Sequence, residues 1–508
     1  MKIIVYILKI EVIIEVSNQK EDAFMLIEEL IALAKTVQAQ QAESQTTEVK
    51  AAHDGCPTKL RDTLSSFSNQ NSGGILLFGL DERKDFQAVG VYDLQDLQKK
   101  VTEQCNQMCP PVRALFTTAE YQGVWICSAE IPALPYAERP CYYSGAGIQN
   151  GSYIRVGDAD RRMTDYEIYC FEAYRNHMHD DERTVERATV DFLNHDLVNA
   201  FLFERRKSRP QFAQMTDAQA MEMLSITRGG IPTIAGLLNF CDYPQGFLPE
   251  LGITAVVVPG TEIGMLSASG ARFIDNKRIE GTISNMFSEA MAFCMRNMKT
   301  ETIIDPQTGK RADHCEYPLD AIREAILNAL IHRDYSVHTE GTPIQINFFR
   351  DRLEIHSPGT LYGRMTVEQL GIARPDARNP VLAVMTESLT DAEHRYSGIP
   401  TMRKAMQEAG LPAPVFLNRQ NEFVVILYNH SKEPKQNAIP EVSDRTTALL
   451  AFCKTPRTRK EIADFLGIST VYHANKRYIA PLVAQGLLRM SIPEKPQSRN
   501  QRFTTVQK

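Results

Sequence analysis

Hydrophobic positions change their period several times along the chain, and the changes mark its elements. Residues 3–16 are almost continuously apolar, but Lys9, Glu11 and Glu15 interrupt the run. It falls short of the ~20 residues that a bilayer span needs, and no small-residue cleavage site follows. The run reads as a β-strand, or as an extension translated from an upstream start codon. At Met25 the spacing becomes helical, with Met25, Leu26, Leu30, Leu33 and Ala34 on one face. A Gln-rich patch, Gln38 to Gln45, separates this helix from the next unit.

From residue 46 to 157 short β-type runs alternate with helical ones. GGILLFGL, AVGVY, VWICSAEI and GSYIRVG predict strands, being rich in β-branched and aromatic residues and bounded by turn residues. LRDTLSSFSN and DLQDLQKKVTEQCNQM predict helices. Ser72-Gly73-Gly74 makes the turn into a buried strand, where glycine permits backbone angles that other residues resist. Residues 165–230 read as helical and contain the charged cluster FERRKSRP. Residues 231–300 add the strand ITAVVV, a strand near Ala271–Ile274, and the helix TISNMFSEAMAFCMRNM. A further α/β unit spans 311–432, and the Pro-rich polar stretch 431–444 reads as a linker.

Residues 445–508 predict helix, helix, turn, helix and hairpin. RTTALLAFCK is the first helix, and Thr458 with Glu461 forms a capping box for the second, which Gly467 stops. Ser469 caps a third helix with a buried stripe of Val471, Tyr478, Ile479, Leu482 and Val483. His473, Lys476 and Arg477 fall on its opposite face, as a recognition helix in a DNA major groove requires. The hairpin that follows has a polar tip resembling a wing. This is the pattern of a winged-helix DNA-binding module.

Charge strengthens that expectation. The 508-residue chain carries a net charge of −6, so it is no uniformly basic nucleic-acid coat. Residues 445–508 nevertheless hold 12 Lys or Arg against three Asp or Glu. Arg457, Arg459, Lys460, His473, Lys476, Arg477, Arg499 and Arg502 are the candidate phosphate and base contacts. With 43% hydrophobic and 23% charged residues, the chain has the composition of a soluble globular protein. Its length predicts about three or four domains. Ten scattered cysteines fit free thiols in a reducing cytoplasm. Cys105 and Cys109 have no second cysteine pair nearby with which to build a zinc site.

In YPLDAIREAILNALIHRDYS, Glu324 and Asn328 are four apart and share one helix face. A carboxylate beside a carboxamide can polarise water and hold Mg²⁺. By pattern alone, a solvated or satisfied polar face is the simpler account. REAILNALIHRDYS, FFRDRLEIHSPGTL, RNPVLAVM and SGIPTMRKAMQEAGLPAPVF together resemble a bacterial regulator family. Its members join a Schlafen/AlbA-type domain to a divergent GHKL-like, RecG-related ATP-binding domain. The resemblance implies ATP and Mg²⁺ as cofactors, Glu324 as the water-activating residue of an ATPase, and Asn328 as the Mg²⁺ ligand. The adenine-reading aspartate of that fold has no counterpart, since Ser357-Pro358-Gly359 occupies its place. The second glycine-rich box is reduced to Ser397-Gly398-Ile399. Ser357, Gly359 and Gly398 are thus the remaining candidate nucleotide contacts.

ESQTTEVK, LSSFSNQNSGGILLFGLDE and GSYIRVGDADRRMTDYEI are similar to the Schlafen/AlbA-type domain itself. Some Schlafen proteins cleave RNA with three carboxylates that hold Mg²⁺ or Mn²⁺, and the matching positions are Glu43, Glu48 and Asp81. Solvated charges are the alternative. Arg155, Arg161 and Arg162 would suit phosphate contacts.

The fold class expected is α/β and α+β, multidomain. An extension (1–24) precedes a Schlafen/AlbA-like domain (25–180) and a connecting helical and α/β region (181–310). A divergent GHKL-like domain (311–432), a linker (433–444) and a winged helix (445–508) follow. The leading functional expectation is a cytoplasmic DNA-binding transcriptional regulator with duplex DNA as partner. Open alternatives are a metal-dependent endoribonuclease acting on RNA, and an ATPase. The likeness also admits a homo-oligomer, and no segment predicts membrane insertion.

Overall fold

The computed structural model describes residues 25–304, 311–390, 398–429, 449–466, 475–479, 482–483, 487–492, 498 and 501–506. The apolar run at 3–16 and the linker at 433–444 lie outside them. The chain divides into two compact units, Met1–Ser431 and Lys432–Lys508.

The first unit opens with the expected helix α1 (Ile27–Gln40). A four-stranded sheet follows, made of β1 (Thr47–Lys50), β2 (Gly74–Phe78), β3 (Leu115–Tyr121) and β4 (Val124–Ile131). The order is β1-β2-β4-β3, with β1 parallel to β2 and the other pairs antiparallel. Side chains alternate across it, as the two-residue period of a strand demands. Leu77 and Ile126 pack with Leu30, Ala34 and Val37 of α1 on one face. Leu76, Phe78, Cys127 and Ala129 face α2 (Arg61–Asn69) and α3 (Leu94–Cys105) on the other. At the turn into β2, Gly73 adopts φ +63°, the left-handed geometry expected there.

Two expectations here needed revision. AVGVY is not a full strand, because only Gln87–Ala88 pairs, with Leu80–Asp81. The backbone turns at Gly90 (φ +77°), after which Val91 and Tyr92 donate to Trp125 and Ala52 on separate segments. The pattern gave no strand for β3, whose two threonines and Glu120 hide its period.

A hairpin of β5 (Tyr153–Val156) and β6 (Ala159–Arg162) leads into α4 (Asp165–Arg175), which Thr164 and Glu167 close with a capping box. Then come α5 (His195–Ser208) and α6 (Ile234–Phe240). The second sheet has six strands. They are β7 (Ile253–Val257), β8 (Asp275–Ile279), β9 (Ile344–Phe348), β10 (Arg352–Pro358), β11 (Val415–Asn418) and β12 (Glu422–Tyr428). Their order is β8-β7-β9-β10-β12-β11, and the pair β7–β9 is parallel. β8 starts just after the place read from sequence. Residues 267–271 form a turn in which Ser267 N donates to Ala271 O and Gly270 N to Ser267 O. Ile346, Phe348, Leu353 and Ile355 of the sheet share one core with α7 (Ile283–Asn297), α8 (Leu319–His332), α9 (Pro380–Thr390) and α10 (Gly398–Glu408).

In the second unit, Thr458 and Glu461 make the expected reciprocal cap at the start of α11 (Arg459–Phe465). The strands β13 (Arg457–Thr458), β14 (Leu488–Met490) and β15 (Arg502–Thr505) form a sheet in the order β13-β15-β14. Leu449, Cys453, Ile462, Ile479, Leu482 and Phe503 fill its core. Ser469, Val471, His473 and Arg499 lie outside the described residues.

Candidate functional site

Helix α8 is apolar around most of its circumference. Ala321, Ile322, Ala325, Ile326, Ala329 and Leu330 are buried against the sheet and its neighbouring helices. Asp320, Glu324 and Asn328 recur every fourth residue and form one polar stripe on this largely buried helix. Gly398, the first residue of α10, is set directly over that stripe. A Cβ on Gly398 would lie 2.7 Å from Glu324 Oε2 and 3.1 Å from Asn328 Nδ2. Three residues from two separate sequence motifs therefore converge. Burial pushes the Glu324 carboxyl above its ordinary value. Asn328 Nδ2 is buried and has no hydrogen-bond partner among the described residues. A buried, unsatisfied amide costs about 1–3 kcal/mol, so its presence marks a place where the fold does not optimise itself alone. A carboxylate, a carboxamide and the start of an 11-residue helix are groups that suit a nucleotide phosphate with its Mg²⁺.

Ser357 and Gly359 do not join this cluster. Ser357 Oγ donates to Ala329 O at 3.1 Å, tying β10 to α8. Gly359 takes φ +102°, and a Cβ there would lie 2.4 Å from Asp334 Cβ. Both residues are explained by packing at this turn, which revises their expected role as nucleotide contacts. The sequence reading assigned no role to what they pack against. Asp334 is buried and paired with Arg378 at 2.6 Å, and Tyr166 Oη donates to it at 2.7 Å. Burial pushes the Asp334 carboxyl up, but Arg378 and the hydrogen bonds from Tyr166 and Ser336 outweigh it, leaving it below the ordinary value. Nothing in the local pattern signals this network, since its members are 168 and 44 residues from Asp334 along the chain.

The N-terminal carboxylates have a different fate. Glu48 Oε2 lies 2.7 Å from Arg155 Nη2, and Glu43 Oε2 lies 3.8 Å from the same nitrogen. Asp160 Oδ1 binds Arg155 Nη1 at 3.0 Å and also accepts from Ser66 Oγ at 2.6 Å. The Arg155 side chain is only 1% exposed and lies over the Phe67 ring. It is no phosphate contact on the surface, because its guanidinium is the counter-charge of a buried acidic cluster. Burial, followed by the charge of Glu48, pushes the Glu43 carboxyl up to about 7 even though Val49 N donates to it. Asp81 stands apart from the guanidinium. It caps the 3₁₀ turn Glu82–Lys84 through Arg83 N and lies 3.7 Å from Lys84. Among the described residues, no group of three His, Cys, Asp or Glu side chains is placed to hold a metal ion. Glu43, Glu48 and Asp81 do not fit a three-carboxylate Mg²⁺ or Mn²⁺ site, since two of them already share an internal cation.

Arg161 and Arg162 are exposed on β6, and Arg162 donates to Asn150 at 3.2 Å. In the second unit, Lys460 and Arg502 are exposed, as are Lys454 and Arg489, two positions that the sequence reading did not single out. The strand register puts Arg489 opposite Thr504 and Arg502 opposite Thr458, so both arginines point away from the core that holds Phe503. Arg457 is half-buried over the Phe452 ring, and Arg459 lies over Phe503 and donates to Ser498 O. Lys476 and Arg477 belong to the helical turn Asn475–Ile479, whose outward face the structure does not describe.

Comparison with known families matches this architecture in three places. Residues 43–164 match the "Schlafen, AlbA_2" family, and residues 341–427 match "Putative ATP-dependent DNA helicase recG C-terminal". The resemblance read from the sequence therefore holds for both domains. The class is a mixed α/β multidomain protein in which one segment matches a Schlafen AlbA_2 domain and another a RecG C-terminal, HATPase-like domain. Glu324 and Asn328 lie just before the second match, while Ser357, Gly359 and Gly398 lie inside it. Residues 444–505 match the C-terminal domain of "Filamentation induced by cAMP protein Fic-like", a likeness the sequence reading did not foresee. Among solved structures, the DIP2311 protein from Corynebacterium diphtheriae is 18% identical, covering 94% of this chain and 97% of its own, with a TM-score of 0.38. The N-terminal domain of a "Putative ATP-dependent DNA Helicase RecG-related Protein" from Nitrosomonas europaea is 24% identical, covering 27% of this chain and 93% of its own, with a TM-score of 0.22. No curated protein matches the chain. Among the described residues, no helix is long and apolar enough to cross a membrane.

Proposed function

We propose that the protein is a DNA-binding transcriptional regulator whose RecG-type domain binds an adenine nucleotide. The observation that carries the nucleotide reading is the convergence of Glu324, Asn328 and Gly398 around an unpartnered buried amide. Asn328 would hold the Mg²⁺ of a bound nucleotide, which neutralises phosphate charge, and Glu324 would orient water beside it. Gly398 keeps the start of α10 free of a side chain, so that backbone N–H groups can meet phosphate oxygens. With so few glycines remaining and no adenine-reading aspartate on β10, the site suits sensing better than rapid turnover.

Duplex DNA is assigned to residues 445–508 read as a winged helix, with Lys460 and Arg502 contributing charge that a polyanion recruits through counter-ion release. The nuclease reading gains no support from a carboxylate set closed around Arg155. The test is a pair of binding measurements on the full chain. Mg²⁺ with a non-hydrolysable ATP analogue should raise the melting temperature of the wild type and leave Asn328→Ala unmoved. Lys460→Ala with Arg502→Ala should weaken duplex binding and lower its salt-dependence slope by about 2. A wild-type protein blind to both ligands refutes the proposal.

A further inference from the structure

Tyr166 is two residues past Thr164, which caps the helix leaving the β5–β6 hairpin, and four past Arg162 on that hairpin. Its hydroxyl donates to Asp334 Oδ2 at 2.7 Å and lies 3.3 Å from Thr360 N, which it accepts. Asp334 follows the end of α8, the helix that carries Glu324 and Asn328. Thr360 follows Ser357-Pro358-Gly359 at the end of β10. One phenol therefore pins both the helix end and the strand end of the RecG-type domain to the exit helix of the Schlafen-type domain.

The neighbours leave this joint little slack. Asp334 Oδ1 accepts from Ser336 N at 2.8 Å, Oδ2 pairs with Arg378 at 2.6 Å, and Arg378 donates onward to Thr360 O at 2.8 Å. Asn379, beside Arg378, donates to Ile331 O and Arg333 O at the last turn of α8. His338 lies against both Tyr166 and Tyr169 with ring centroids 5.7 and 4.9 Å apart. Gly359 has no room for a side chain between Asp334 and Arg378. On the Schlafen side, the hairpin is fastened by Asp160, which accepts from Thr63 and Ser66 and pairs with Arg155. Packed elements with few alternative arrangements transmit displacement rather than absorb it.

We infer that Tyr166 is a coupling residue: nucleotide binding at the Glu324–Asn328–Gly398 cluster shifts α8, and the Tyr166–Asp334–Arg378 joint passes that shift to the β5–β6 hairpin bearing Arg161 and Arg162. The inference rests on the nucleotide reading above. It adds the residue through which the cluster would act on the Schlafen-type surface.

The test is hydrogen exchange on the full chain with and without Mg²⁺ and a non-hydrolysable ATP analogue, with melting temperature recorded in parallel. In the wild type the analogue changes exchange in α8 and also in residues 153–175. In Tyr166→Phe the analogue still raises the melting temperature and protects α8, and the change in 153–175 is lost. Asp334→Asn, of nearly the same shape, gives the same loss. Should the wild type show no melting shift and no protection of α8, the nucleotide reading falls and takes this inference with it. Protection confined to α8 in the wild type, or a response in 153–175 that survives in Tyr166→Phe, overturns the coupling alone.

Discussion

Two polar clusters in the first unit, each holding residues nominated from the sequence, have opposite electrostatics. Around Arg155, three carboxylates from β1, the segment before it and β6 close on one guanidinium. Around Asn328, a single carboxylate and an unpartnered amide face the backbone of Gly398, and no ion pair of Glu324 is found among the described residues. The first cluster already holds an internal counter-charge, and a cation arriving from solvent would have to displace an arginine that the fold has already buried. In the second, no cation is paired with Glu324 among the described residues, and Asn328 Nδ2 has no partner among them. Residue type alone does not distinguish a structural charge cluster from a binding site; the identity of the counter-charge does.

Breaking the first cluster should have the largest effect. Arg155→Met strands buried carboxylates, and removing one partner of a buried ion pair costs about 3–5 kcal/mol. Urea denaturation followed by a probe in the N-terminal domain should show that loss, and an unchanged midpoint would mean the cluster is solvated. A smaller effect comes from Glu43. Its folded-state pKa is raised from 4.5 to about 7, so the folded protein holds this proton more tightly than the unfolded chain does. The stability gained is complete below pH 4.5 and is lost as pH rises through about 7. Glu43→Gln should therefore remove a decline of about 3 kcal/mol across that window, read as a flatter stability–pH curve. A slope equal to wild type would show that Glu43 titrates normally.

The second cluster should respond in the reverse sense. Gly398→Ala places a methyl group against the far end of the flexible Glu324 side chain, so stability should change by no more than about 1 kcal/mol. The melting shift caused by the ATP analogue should nevertheless vanish. Glu324→Gln should be milder still, with stability within about 0.5 kcal/mol of wild type because the group has no ion pair among the described residues to lose. A loss as large as that of Arg155→Met would place Glu324 in a structural network and erase the contrast between the two clusters.

Local elements were legible where one period and one boundary signal agreed. α1, α2, α3 and α8 stand where their apolar spacing put them, and the capping box at Thr458 formed as its spacing required. AVGVY misled because its valines satisfy separate segments through a left-handed glycine rather than one ladder. Of the nominated nucleotide contacts, Glu324 and Asn328 could be paired from their four-residue spacing. That Gly398 meets them, while Ser357 and Gly359 turn toward Ala329 and Asp334, depends on how α10 and β10 pack.

By itself the sequence determined the likeness of its Schlafen-type and RecG-type segments, the helix face that carries Glu324 and Asn328, and the concentration of positive charge at the tail. These follow from local periodicity and composition, which act over one or two turns of chain. The tertiary structure decided which charges face one another. It buried Arg155 among carboxylates from distant segments and joined Tyr166 to Asp334 across 168 residues. Ion pairing and desolvation depend on distances in space, and those exist only once the sheets and helices have packed.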